Sequence, residues 1–242
     1  MSVSFGEFDP ELTAYFGNFE RETIADAAKL SPNFDARLRT LVQLGACVAS
    51  GGLGAYSDLA ETALWQGLVT AVEVKEIAYQ SVAYVGMASA LDFVTFTNEI
   101  LIAAGDEPLV EGQSKSTPET RFEYGLTVQG QIVGGAEAAR QRITDAGADE
   151  QHFQRYLAEN CFGDTVGRGG LTMPERELIT FAMLSALGGA DAQVKGHVAG
   201  NLAVGNSRAD LLAVLTVLVP FIGYPRTLNA LAAVNEVAPA GG

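Results

Sequence analysis

Residues 172–189 read TMPERELITFAMLSALGG, a helix with both of its ends written into it. Thr172 with Glu175 is a capping box, in which hydroxyl and carboxylate each satisfy a backbone N–H that the first turn leaves without a partner. From Leu178 to Leu187 the residues are apolar on nearly every face, the pattern of a helix buried all round. Gly188-Gly189 then breaks it. The chain on either side repeats this grammar. Downstream, a helix runs through His197 towards Gly205, and Ser207 caps another through Leu211, Val214 and Leu218 towards Gly223. A kink is expected in it at Pro220, and Pro225 starts a last helix through Leu228 and Val234. Upstream, Ser31-Pro32 opens a helix over 34–49, which Gly51-Gly52-Leu53-Gly54 breaks. A second covers 56–65 and stops at Gly67. Thr70 with Glu73 caps a third that carries Val74, Ile77 and Val82 at core spacing, and Gly86 hands over to a fourth at 88–103.

Between these stretches, residues 105–115 are polar and turn-rich and read as a connector. Ser116-Thr117-Pro118-Glu119 opens a further helix, Gly134-Gly135 breaks that segment, and a helix over 149–161 leads into Phe162-Gly163-Asp164 and the Arg168-Gly169-Gly170 turn. No alternating apolar–polar run persists, so the fold class is all-α.

The two outer stretches align with each other. Arg39-x-Leu41 matches Arg176-x-Leu178, Ala63-Leu64-x-x-Gly67 matches Asn201-Leu202-x-x-Gly205, and Gly86-x-x-x-x-Leu91 matches Gly223-x-x-x-x-Leu228. The three matches fall in order and at almost one offset, which marks an internal duplication. The chain divides into an N-terminal helical extension (1–30), a first repeat (31–105), connector helices (106–170) and a second repeat (171–242), packed together as one helical domain.

With 242 residues the chain is long enough to bury a substantial core, and 48% hydrophobic against 18% charged residues fits a packed globule. Fifteen basic and 29 acidic residues leave a net charge of −14, which repels nucleic-acid phosphates and anionic lipid, so neither is expected as a partner. Cys47 and Cys161 are far apart and form neither a CxxC nor a metal-ligand spacing, so no disulfide framework and no metal are expected. The acidic start MSVSFGEFDPELTAYFGNFERE lacks the basic and apolar regions of a signal peptide. The longest mainly apolar stretch noted, 211–224, is too short to span a bilayer. The expectation is a cytoplasmic protein. Gly51-Gly52-Leu53-Gly54 is not a nucleotide loop, because it follows a helix and no P-loop lysine follows it.

From Arg121 onward the chain resembles the carboxymuconolactone decarboxylase family, within the alkylhydroperoxidase-D-like superfamily. The residues that carry the resemblance are Arg121-Phe122-Glu123-x-Gly125, Phe162-Gly163-Asp164, Gly170-Leu171-Thr172-x-x-x-Arg176-Glu177-Leu178-Ile179-Thr180 and Ala182-Met183-Leu184. Lys195-x-His197, Ala203-x-Gly205 and Gly223-Tyr224-Pro225-x-x-x-Asn229-Ala230 complete it. The resemblance implies an all-α fold of two tandem alkylhydroperoxidase-D-like repeats and a symmetric homo-oligomer, with a trimer favoured for a two-unit chain. It also implies a small-molecule substrate and cofactor-free decarboxylation of 4-carboxymuconolactone, or a related small carboxylated lactone or acid, in aromatic catabolism. The superfamily's other chemistry, thiol peroxidase or disulfide reductase activity, needs CxxC shortly before a histidine. Residues 190–196, before His197, contain no cysteine.

Such a decarboxylation needs no cofactor, since the substrate's own double bond and lactone carbonyl accept the electrons. The protein has to hold an anion, stabilise a developing oxyanion and protonate carbon. His197 and Arg176 are therefore the candidate catalytic residues, with Arg168, Tyr224 and Asp164 as candidate substrate contacts. Each has a structural alternative. His197 could be a satisfied core histidine and Arg176 one half of an internal ion pair. Asp164 could be a turn residue, Arg168 a solvated loop arginine and Tyr224 a helix corner. Glu175 reads first as the capping-box partner, Glu177 as a paired side chain or, as in superfamily relatives, a proton relay, and His152 as exposed. In the first repeat Leu59 stands in place of His197, and Met87-Ala88 in place of Tyr224-Pro225, so that unit reads as packing. The competing functional reading is a non-catalytic oligomeric binding or scaffold protein of the same fold.

Overall fold

The structure, a computed structural model, describes residues 5–108 and 111–240, and all regular secondary structure among them is helical. Helices α1 (Phe5–Phe8) and α2 (Pro10–Leu30) lead into a first unit of α3 (Ala36–Ser50), α4 (Leu53–Trp65), α5 (Ala71–Val85) and α6 (Met87–Ala104). Then come α7 (Arg121–Val133), α8 (Ala136–Asp145) and α9 (Gln151–Tyr156), which continues as a π-helical segment, Leu157–Val166. The second unit is α10 (Met173–Leu187), α11 (Asp191–Ala203), α12 (Arg208–Ile222) and α13 (Tyr224–Val237). The connector expected over 105–115 carries no regular element in its described part, and Leu109 and Val110 lie outside the described residues.

The two units agree in detail. Helices α3 and α10 both have 15 residues, α4 and α11 both 13, α5 and α12 both 15. Gly86 and Gly223 each end one helix and open the next with no intervening residue, both at φ 77°. That positive φ is strained for any residue with a Cβ, so glycine is required at both corners. The capping boxes Thr70–Glu73 and Thr172–Glu175 form as the sequence predicts, and Ser207–Asp210 makes a third. Each contributes on the order of 1 kcal/mol to fixing where its helix starts. The cap of α3 is Asp35, whose carboxylate accepts from the Leu38 N–H, in place of the expected Ser31. Ser31 instead donates its hydroxyl to Asp210 across the units. Pro220 sits inside α12, which runs on to Ile222.

Helix α10 is the centre of the molecule. Every residue from Arg176 to Ala186 is buried, and α10 packs on α3, where Gly45 lies against Ile179 and Met183. One apolar core runs through both units. The expected end at Cys161 is overridden by packing between the π-helical segment and α7. A Cβ on Gly125 would lie 1.9 Å from the Ala158 carbonyl oxygen, and one on Gly163 would lie 2.3 Å from that of Arg121. The two backbones touch at these glycines, and the helix goes on, widened, with the Gly167 N–H donating to the Phe162 carbonyl at 2.8 Å.

Helix α6 is long and apolar enough to cross a membrane by length and composition alone, which the sequence reading passed over. It packs on α4 and α5, with Met87, Leu91 and Ile102 exposed.

Candidate active site

His197 projects from α11 over α10, where Nδ1 lies 2.8 Å from Oε2 of Glu177. The Glu177 side chain is fully buried, while that of His197 keeps 17% exposure. Space for the carboxylate comes from Gly200, one turn beyond His197, since a Cβ there would stand 2.7 Å from Glu177 Oε2. Asn201 locks the two helices together: its amide donates to the backbone carbonyls of Glu177 (3.1 Å) and His197 (2.7 Å), and accepts from Asn206 at 2.8 Å. The other carboxylate oxygen, Glu177 Oε1, is buried without a hydrogen-bond partner in the protein. A buried polar atom left in that state costs on the order of 1–3 kcal/mol.

His197 lines a cavity of about 310 Å³ that opens to solvent. Its opposite wall mixes elements from three regions: Tyr84 from α5, Gln129 from α7, and Leu157, Cys161 and Phe162 from the π-helical segment. The Tyr84 ring meets the imidazole edge-on, centroids 6.2 Å apart, and Thr180 donates to its phenol oxygen at 2.9 Å. Burial, with the charges of Cys161 and Glu177 adding to it, pushes the Tyr84 phenol well above its ordinary pKa. Burial likewise pushes the Cys161 thiol up to about 12, against a hydrogen bond to Tyr84. Both groups stay protonated at neutral pH. At the mouth stands Arg142 of α8, exposed and with no ion-pair partner among the described residues. A set of three or more metal-ligating side chains is absent among the described residues.

Of the five candidate catalytic and substrate-contact residues named from the sequence, only His197 lines this cavity. Arg176 is 1% exposed and turned into the protein. Its guanidinium donates to Glu76 (3.0 Å), to Gln80 (2.8 Å) and to the carbonyls of Arg168 and Gly169. Burial pulls its pKa down, and the contact with Glu76 pushes back. Arg168 pairs with the same Glu76 at 2.9 Å and lies over the Tyr79 ring. Asp164 pairs with Arg121 at 2.7 Å. Tyr224 is 62% exposed and stacks on Phe19. The structural alternative for Arg176, an internal ion pair, is what the geometry displays. Glu175 both caps α10 and accepts from Arg37, and His152 is exposed beside Phe153. Tyr84, Arg142 and Gln129 were missed. Arg142 left no local signal, lying on a polar helix that the sequence gives no reason to place beside α11.

An all-α domain with a buried carboxylate–imidazole pair facing a small cavity is the class of protein that fold and site define. Residues 151–236 match the family model described as the carboxymuconolactone decarboxylase family. The matched segment runs from α9 to α13 and so contains Glu177 and His197. Among characterised proteins the chain is similar to a 4-carboxymuconolactone decarboxylase of Acinetobacter baylyi, 26% identical over 119 residues, covering 49% of this chain and 87% of that protein.

Proposed function

We propose that the protein is a cofactor-independent lyase acting on a small carboxylated lactone or related acid, with His197 as its acid–base group. The observation that carries the proposal is the Glu177–His197 pair at a solvent-reachable cavity. A buried carboxylate bonded to Nδ1 fixes the ring and leaves Nε2 for a substrate. Arg142 takes the anion-binding role first assigned to Arg176, since it lines the cavity and has no carboxylate partner among the described residues.

The reaction follows from these positions. The bond between ring carbon and carboxylate breaks, carbon dioxide leaves, and the electron pair passes through the ring double bond to the lactone carbonyl oxygen. His197 then delivers a proton to carbon and recovers one from solvent. The neutral phenol of Tyr84 and amide of Gln129 face the same space and are suited to donate to the developing oxyanion. Against thiol chemistry stand two free, buried cysteines, each with its thiol pushed up to about 12 by burial. Against a pure scaffold stands the accessible imidazole of His197, held by Glu177 at the cavity wall.

The test is turnover of 4-carboxymuconolactone followed in the ultraviolet, with His197→Ala and Arg142→Gln as controls. The expected result is activity in the native chain that His197→Ala abolishes and Arg142→Gln weakens through KM. Full activity in His197→Ala would overturn the assignment. The exposed apolar residues of α6 and α13, among them Met87, Leu91, Ile102 and Leu228, support self-association, proposed as a homotrimer in the cytoplasm and open to sedimentation equilibrium.

A further inference from the structure

The first unit has a cavity of its own. About 370 Å³ in volume, it is enclosed by α3, α4, α2 and the end of α12, and includes Arg39, Thr40, Leu59, Leu68 and Phe221 in its lining. It stands to the first unit as the His197 cavity stands to the second. Thr40 holds the place of Glu177, Leu59 that of His197, and Phe221 that of Tyr84, at the offsets that relate the two units. Even the rim corresponds, with Glu20 of α2 where Leu157 lies in the other. This cavity has no counterpart of the carboxylate–imidazole pair.

What it has instead is a released arginine. Arg39 is the counterpart of Arg176, which is held inside by Glu76 and Gln80. At the matching positions of α12 stand Ala213 and Val217, and neither can accept a hydrogen bond through its side chain. Arg39 accordingly has no ion pair among the described residues, is only partly buried, and contributes to the cavity wall. In a chain of net charge −14, a partly desolvated guanidinium without an anion is a binding group in search of one. Leu59, Leu68 and Phe221 supply an apolar surface beside it, while Glu20 and Asp58 in the same lining repel a second negative charge. The volume falls in the range of small-ligand sites, roughly 300–1,000 Å³. We propose that the first unit carries a second, non-catalytic site for a small apolar monocarboxylate, anchored by Arg39. The proposal goes beyond the reading of that unit as packing, and it stands independently of what His197 does.

The test is a titration of the full chain with benzoate, with benzyl alcohol as the uncharged control, read on leucine methyl resonances. Leu59 and Leu68 report this cavity and Leu157 reports the other. The expected result is a saturable shift at Leu59 and Leu68 that benzyl alcohol does not produce and that Arg39→Gln weakens at least about tenfold, the loss of one charge-assisted contact. Thr62→Glu, at an exposed position of the lining, should also abolish it while leaving Arg39 in place. Silent Leu59 and Leu68 methyls in the native chain overturn the proposal, whatever Leu157 does. Equal shifts with benzyl alcohol, or undiminished shifts in both variants, overturn it as well.

Discussion

Glu177 Oε2 and His197 Nδ1 lie 2.8 Å apart, with the carboxylate wholly buried and the imidazole at the surface of a cavity. The carboxylate can only accept, so Nδ1 carries the proton and Nε2 is the nitrogen left to a substrate. Glu177→Gln keeps the volume but replaces the acceptor with an amide that can present its N–H to Nδ1, which then carries the lone pair. Turnover should fall by about 10²-fold or more if His197 is the acid–base group, with little change in KM. Nitrogen chemical shifts of the imidazole should report the exchanged tautomer. An unchanged rate with a changed tautomer would separate His197 from the chemistry.

Arg176 makes the opposite kind of prediction. Its guanidinium neutralises the buried Glu76 and satisfies Gln80 and two loop carbonyls. Arg176→Ala should therefore destabilise the fold by up to about 3–5 kcal/mol, the usual cost of breaking a buried ion pair, with Arg168 left to hold Glu76. Chemical denaturation measures it directly. Adding Glu76→Gln to Arg176→Met should recover part of the loss, since no full charge is then left facing an apolar neighbour, although Arg168 also loses its carboxylate. A folded, stable, inactive Arg176→Ala would return Arg176 to the catalytic group.

The sequence disclosed the helices because their signals are local. Capping boxes at Thr70, Thr172 and Ser207, and glycines at 86 and 223, each act within one or two turns. His197 could be named from the sequence because the chain has only two histidines and this one falls in the Lys195-x-His197 stretch that carries the resemblance. Arg176 was misplaced because nothing beside it in sequence reveals Glu76, which lies 100 residues away on α5. Arg142 and Tyr84 enter the cavity through contacts between units, which periodicity does not encode. The continuation of the helix to Val166 depends on its close packing with α7 at Gly125 and Gly163, and no rule confined to residues 157–166 could supply it.

The cysteines offer a test of how closed the fold is. Burial alone pushes Cys47 up to about 12, and Cys161 reaches the same level even though it borders the cavity. Native protein at pH 8 should resist iodoacetamide at both positions and react at both once unfolded. A thiol whose pKa is raised by folding stabilises the fold below its unfolded pKa near 9, and that contribution fades as pH climbs towards 12. Alkaline denaturation should accordingly begin between those values, and Cys47→Ala should blunt it. Rapid labelling of Cys161 at pH 8 in the folded state would revive the thiol reading.

Arg37 joins the start of α5 to the start of α10 by donating to both capping-box glutamates, Glu73 and Glu175. Burial works to raise the Glu175 pKa. Hydrogen bonds from Arg37 and Thr172 outweigh it, so the carboxyl sits below its ordinary 4.5. Asp210 behaves alike: burial raises its pKa, but Ser31 and Ser207 hold it below 3.8. For carboxyls depressed in this way, the stabilisation is present above the unfolded pKa and is lost as pH falls through the folded one. Stability should thus hold flat from neutrality to about pH 5 and decline below about pH 4.5, where such groups begin to protonate. Arg37→Ala removes the tie between the units. Because Arg37 is one-third exposed, solvent screening limits the loss to roughly 1 kcal/mol, and added salt should shrink it. Glu175→Gln in the Arg37→Ala background should then flatten the acid limb of the curve. An acid limb left unchanged by both substitutions would place the titrating groups elsewhere.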